Sequence, residues 1–291
     1  NYDLRVINRT DSFMIRGIKV RTFAMTHSVP DSFGIALKSD QGYIVYSGEY
    51  VFDYNMLQEE YNCDLNELSD IGKEGVLCLL SESSQVDTDG HTAPRHRISS
   101  YIEPIFESNN GRFVVAVHKQ SLFRTMEVLD LAKRFNKRVF FHDDNLRRIL
   151  EQLSEIGYYS FPSELIVSKE EFNNDMDDIM IVISGGGKRL FLKMSNIAAH
   201  EDELIQFKPK DIIIVGATAI NGTEKEAVNM ENEIYKEGGK IYSLDSKKVK
   251  SMHPSKEDIK MSLYLFKPKY YLPVNDNTPN RIKSIGSVNM F

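Results

Sequence analysis

The chain has 291 residues, 41% hydrophobic and 27% charged, with a formal net charge of −6. That is the make-up of a globular protein with room for one large domain or two smaller ones, and it excludes a chain disordered throughout. No apolar run approaches the roughly 20 residues that cross a bilayer, and no signal-peptide pattern stands at the start, so the expected setting is cytoplasmic with no membrane partner. Cys63 and Cys78 are the only cysteines and form no C-x-x-C. This speaks against a disulfide framework or a thiolate zinc site.

In chain order, the first segment reads as β-rich. The runs IKVRTFAM (Ile18 to Met25), FGIALKS (Phe33 to Ser39) and YIVYSG (Tyr43 to Gly48) are short, β-branched or aromatic, and separated by turn residues. SDQG (Ser39 to Gly42) between the last two predicts a hairpin turn. GVLCLLSES (Gly75 to Ser83) predicts a buried strand ending in polar residues. From about Arg97 helices and strands alternate. Helical spacing marks Ser121 to Phe135 and Asp144 to Gly157, and apolar strands fall at Arg112 to His118, Lys137 to His142, Ile179 to Gly185 and Asp211 to Ala217. This alternation predicts a parallel sheet covered on both faces. A helix over Glu224 to Glu237 and a strand KIYSL follow, then a helix capped by Ser255 with Asp258 three residues on, and a last strand YYLPVN (Tyr270 to Asn275). NNDMDD (Asn173 to Asp178) predicts an exposed loop.

None of the seven histidines stands in H-x-x-H or H-E-x-x-H spacing, which would place two ligands on one helix face. His27 and Glu49 close neighbouring predicted strands, an arrangement that can bring them together as metal ligands, although a catalytic zinc needs about three protein donors. SGGGKR (Ser184 to Arg189) follows a predicted strand, so its amides suit a phosphate cradle or a helix N-terminus, but it is neither a P-loop nor G-x-G-x-x-G. His253 precedes the Ser255 cap, where an anion would meet an imidazole and a helix N-terminus together. Basic clusters at Pro94 to Arg97, Lys133 to Arg138, Gly187 to Arg189 and Lys247 to Lys256 leave room for a local basic channel despite the negative net charge.

Taken in order, THSVPDSFGIAL, YSGEYVFD, LLSESS, AVHKQSLFR, SGGGKRLF, AINGTEK, SMHPSKEDIK and KPKYYLPVND resemble ribonuclease J, of the β-CASP group in the metallo-β-lactamase superfamily. The resemblance runs over nearly the whole chain. It implies an α/β fold: part of a metallo-β-lactamase αββα sandwich with an inserted parallel-sheet β-CASP domain. Residues 1–93 and 246–291 would be metallo-β-lactamase-like and residues 94–245 the β-CASP insertion. It implies RNA as the partner, decay from a 5′-monophosphate end with internal cutting, and two metal ions, zinc or another divalent cation, clamping the attacking water and the scissile phosphate.

Several family positions are altered. The H-x-H-x-D-H motif, which supplies four ligands, has no counterpart, and its expected place is upstream of Asn1, so the sequence is a fragment or a shortened protein. Of the other ligands the resemblance keeps His27, places Glu49 at the bridging aspartate and puts Asn275 at a histidine. Glutamate displaces its carboxylate by roughly 1 Å, where ligand distances tolerate about 0.2 Å, and a neutral amide is a poor zinc ligand. Carried over to this chain, the RNA- and phosphate-binding positions are Ser251, His253, Ser255, Arg124, Gly185, Gly186 and Lys188, with His253 the candidate catalytic group. The reading that follows is a ribonuclease J-like protein of RNA processing that is non-catalytic or weakly active and binds RNA, an active ribonuclease J-type paralogue or its own copies. An active metal-dependent 5′–3′ exo- and endoribonuclease with further ligands upstream is the alternative, and a scaffold without RNA binding is the third reading.

Overall fold

The apolar runs fold as strands of two separate sheets. The computed structural model describes residues 4–54, 56, 58–219, 222–244 and 247–275. The expected division at 245/246, Ile220 and Asn221 of AINGTEK, and the part of the return segment after Asn275 lie outside the described residues. The chain divides into two units, Asn1–His96 with Lys250–Phe291, and Arg97–Val249. In chain order the elements are β1 (Ser12–Ile15), β2 (Ile18–Ala24), β3 (Phe33–Ser39), β4 (Gly42–Tyr46), α1 (Leu65–Lys73), β5 (Val76–Glu82), α2 (Ser99–Ser108), β6 (Phe113–His118), α3 (Leu122–Arg134), β7 (Arg138–Phe141) and α4 (Asp144–Glu155). They continue with β8 (Ile179–Gly185), α5 (Lys188–Ala198), β9 (Ile212–Val215), α6 (Glu224–Lys236), β10 (Lys240–Ser243), α7 (Lys256–Phe266) and β11 (Tyr270–Val274).

In the first unit the sheet order is β1-β2-β3-β4-β5-β11. β1 to β4 form an antiparallel meander, and β5 joins β4 and β11 in parallel. One face, with Phe23, Ala36, Tyr43, Val45 and Leu79, buries against Leu68 and Ile71 of α1 and Ile259, Leu263 and Phe266 of α7. The helices cross so closely that a Cβ at Gly72 would stand 2.0 Å from the Leu265 carbonyl oxygen, so only glycine fits there. On the other face the register aligns Ile15, Ile18, Leu37, Ile44, Tyr46, Tyr270 and Leu272, all exposed. Period-2 alternation thus gives this sheet two apolar faces, one of which meets water.

The second unit holds an all-parallel sheet of order β10-β9-β6-β8-β7. Its central strands are buried except for His118 at the end of β6, as their continuous apolar sequence requires. Val114, Ala116, Ile181, Ile183, Ile213 and Val215 pack against Leu190, Phe191, Met194 and Ile197 of α5 and Met230 and Ile234 of α6. Arg112, which opens this sheet, is buried and doubly bonded to Asp211, with its remaining N–H groups on Asn174 and the Gln206 carbonyl. No helix among the described residues is long and apolar enough to cross a membrane.

Candidate functional site

In the first unit, chemistry gathers where strands end. The chain leaves β2 and pairs Thr26 with Val51 in a single antiparallel bridge, which sets His27, one residue after Thr26, close to Glu49, two residues before Val51. The His27 Nε2 lies 3.0 Å from Glu49 Oε2. His27 Nδ1 is buried and has no hydrogen-bond partner. The hydrogen bond from His27 holds the Glu49 carboxyl below its usual range, against partial burial and helped by the charges of His253 and His27.

The His27 ring stands 5.6 Å, centroid to centroid, from that of His253. His253 Nδ1 is 2.6 Å from Glu82 Oε1 at the end of β5. Glu82 is fully buried; Ser84 donates to the same Oε1, while Oε2 is buried without a partner. The four side chains therefore run as two acid–imidazole pairs, Glu49–His27 and His253–Glu82, set side by side. In the same unit Asp53 and His96, both buried, stand 3.3 Å apart. Among the described residues no group of three or more His, Cys, Asp or Glu side chains is placed to hold one ion. Asn275, after β11, is exposed and left-handed, with φ 58°.

The expectation that an anion at His253 meets an open helix N-terminus is not met. The Lys256 N–H donates to the Thr88 carbonyl and the Glu257 N–H to the Gly90 carbonyl. The Ser255 side chain takes the Asp258 N–H in a reciprocal capping box. All these amides are spent on the chain itself. Ser255 is fully buried, and Ser251 accepts from the Gln85 amide. Ser251 and His253 are both partly exposed, the His253 side chain by 30%.

The second unit's candidates lie at the carboxyl ends of its parallel strands, the edge where open α/β sheets place ligands. Gly185 ends β8, and a Cβ there would stand 2.8 Å from Leu190 Cα, so glycine is dictated by helix packing. Gly186 passes beside the Gln120 side chain, and Gly187 caps α5 at φ 48°. Lys188 is exposed and paired with Glu226 at 2.7 Å. Arg124 on α3 is buried, with Nη1 3.5 Å from the Gly216 carbonyl, and burial pulls its pKa down to about 10. Sequence reasoning passed over His118 at the end of β6. Its Nε2 is 3.1 Å from the Thr218 carbonyl, and burial keeps its pKa below the usual histidine range. The signal available was its place at the end of an apolar strand.

Against known proteins, the family model described as "Ribonuclease J, beta-CASP domain" matches residues 110–234. The chain is 30% identical over 270 residues to Ribonuclease J 2 of Staphylococcus saprophyticus, covering 92% of this chain and 48% of that protein. It is 28% identical over 269 residues to Ribonuclease J 2 of Staphylococcus aureus, with the same coverage. The chain thus spans about half the length of the curated relatives it matches. A solved structure of a protein of unknown function from Enterococcus faecalis V583 superposes with TM-score 0.63 at 11% identity, over 97% of this chain and 64% of the other. At that identity the likeness concerns the fold alone.

Proposed function

Because the chain is a ribonuclease J-like β-CASP protein, we propose that it serves RNA processing or decay chiefly by binding single-stranded RNA, with weak or no catalysis of its own. The observation that carries this reading is the contrast within one site: His253 and a buried Glu82 are in contact at 2.6 Å, whereas the donors expected for metal amount to His27 and Glu49. Those two, with an exposed amide at Asn275, do not fit a dinuclear centre, for which each ion needs about three protein donors. We take residues 1–93 and 246–291 as the metallo-β-lactamase-like part and 94–245 as the β-CASP domain, in the cytoplasm.

The chemistry of the pair suits phosphate recognition. With Nδ1 against the Glu82 carboxylate, the imidazole directs Nε2 away from that carboxylate. A protonated Nε2 in that position donates to a phosphate oxygen, and the same nitrogen can give its proton to the leaving oxygen as a water attacks phosphorus, which would supply the weak activity.

One observation favours the second reading, an active metal-dependent nuclease completed by donors from other sequence. The His27 Nδ1 is buried without a partner, the state of a ligand whose ion is supplied with further donors. The two readings separate in one experiment on the full-length protein. Metal analysis that finds fewer than two tightly held divalent ions, together with RNA binding and no 5′-phosphate-dependent decay, is the result expected. Two retained ions, and decay abolished by His27→Ala, overturn the proposal. Negligible RNA binding at low salt, where phosphate contacts are strongest, points instead to a protein scaffold.

A further inference from the structure

The loop that carries His253 is gripped by a segment more than 150 residues earlier in the chain. The fully buried Thr92 makes three contacts to it. Its hydroxyl donates to the His253 carbonyl at 2.6 Å, accepts from the Ser255 N–H at 3.1 Å, and lies 2.7 Å from Ser255 Oγ. Its own N–H donates to Asp258 Oδ2, which also takes the Ser255 N–H. On the other side of the histidine, Gln85 holds Ser251 and forms a parallel bridge with Ser255. The two serines flanking His253 are therefore clamped by residues 85 and 92.

We infer that Thr92 is the positioning residue of the site: its hydroxyl fixes the backbone at His253, so that the imidazole stays seated on Glu82 with Nε2 directed away from that carboxylate. A threonine suits this place because one hydroxyl serves as donor and acceptor at once, while the methyl group fills the buried pocket without adding a polar atom. Thr92→Val keeps the shape and removes the hydroxyl. It leaves the His253 carbonyl without that donor, frees the loop to shift, and lets the ring leave its carboxylate.

The role of Thr92 in RNA recognition rests on the reading of His253 as the RNA-facing group, and the test keeps the two apart. Imidazole nitrogen–proton correlation spectra of the full chain report on His253 directly. In Thr92→Val the His253 ring signals shift or broaden, and in Thr92→Ser, which restores the hydroxyl, they return. His253 signals unchanged in a folded Thr92→Val protein overturn the inference. Should that variant not fold, Gln85→Leu loosens the same loop from its other side and gives the smaller shift expected; no shift there overturns it too. Fluorescence anisotropy with a short 5′-phosphorylated single-stranded RNA gives the functional arm. Thr92→Val weakens binding about fivefold, Thr92→Ser restores it, and in a His253→Ala background Thr92→Val has no further effect. Equal weakening in both backgrounds means that Thr92 acts on the fold rather than through His253, and overturns the inference. Binding indifferent to His253→Ala sinks the proposed function, while the ring spectra still judge Thr92.

Discussion

His27 and His253 stand ring beside ring, yet the protein invests in them unequally. The backbone at His253 is tied by Thr92, Gln85 and the capped start of α7, and its ring faces a carboxylate withdrawn from water. His27 faces Glu49, a carboxylate with 45% of its side chain exposed, and keeps a buried nitrogen without a partner. The difference therefore lies in how the backbone is braced and in where the carboxylate sits, since Glu82 Oε2 on the His253 side is also buried without a partner. Residues far away in the chain hold the His253 end, whereas the His27 end places its carboxylate at the surface.

The comparison can be broken by substitution. The largest effect belongs to Asp258→Ala, which strips the Thr92 and Ser255 N–H groups of their shared acceptor in a fully buried place. The expected loss is about 3 kcal/mol of unfolding free energy, read by urea denaturation. Next comes Glu82→Ala, which leaves the His253 imidazole and Ser84 without their carboxylate and should cost about 2 kcal/mol.

Glu49→Gln should cost less than about 1 kcal/mol, because the pair is half open to solvent. Its pH dependence has a definite sign. The folded-state carboxyl titrates below the ordinary glutamate value of about 4.3, so the pair's contribution is complete above that pH and disappears as pH falls through the lower folded value. Melting curves of Glu49→Gln and the parent should therefore converge in acid; a gap that widens there would contradict the geometry. Smallest in stability is Lys188→Glu at an exposed helix start, within about 0.5 kcal/mol, yet it should weaken RNA binding at low salt if the carboxyl edge of the parallel sheet meets RNA.

How far these features could be read in advance follows from how local their causes are. β2, β3, β6, β8 and β9 announce themselves as β-branched or aromatic runs, and the parallel sheet follows from their alternation with amphipathic helices. α2 was hidden because Pro104 sits inside it, where a sequence reading ends a helix; burial of Ile102 and Phe106 outweighs the lost hydrogen bond. α1 was hidden because nine residues bury only Leu68 and Ile71, too few to show a period. α5 was in plain view, with Leu190, Phe191, Met194 and Ile197 at helical spacing, but the glycines before it drew attention to a loop. At the site, the approach of His27 to Glu49 was legible because they follow β2 and β4, which end at the same edge of one sheet, although β3 lies between those strands. Thr92, Gln85 and the His91–Asp258 contact at 2.8 Å were not, since their partners lie more than 150 residues away and hydrogen bonds across such distances leave no mark in composition or spacing.

The water-facing apolar side of the six-stranded sheet bears on how the protein behaves in a tube. Hydrocarbon exposed there costs roughly 25 cal/mol for every Å², and that cost drives association that strengthens on warming from the cold. Isolated at high concentration, the chain should turn cloudy as it is warmed from ice, well below its unfolding temperature, and clear again with mild non-ionic detergent. Leu37→Lys and Ile44→Lys, at paired positions on that side, should raise the clouding temperature without altering the far-ultraviolet circular dichroism.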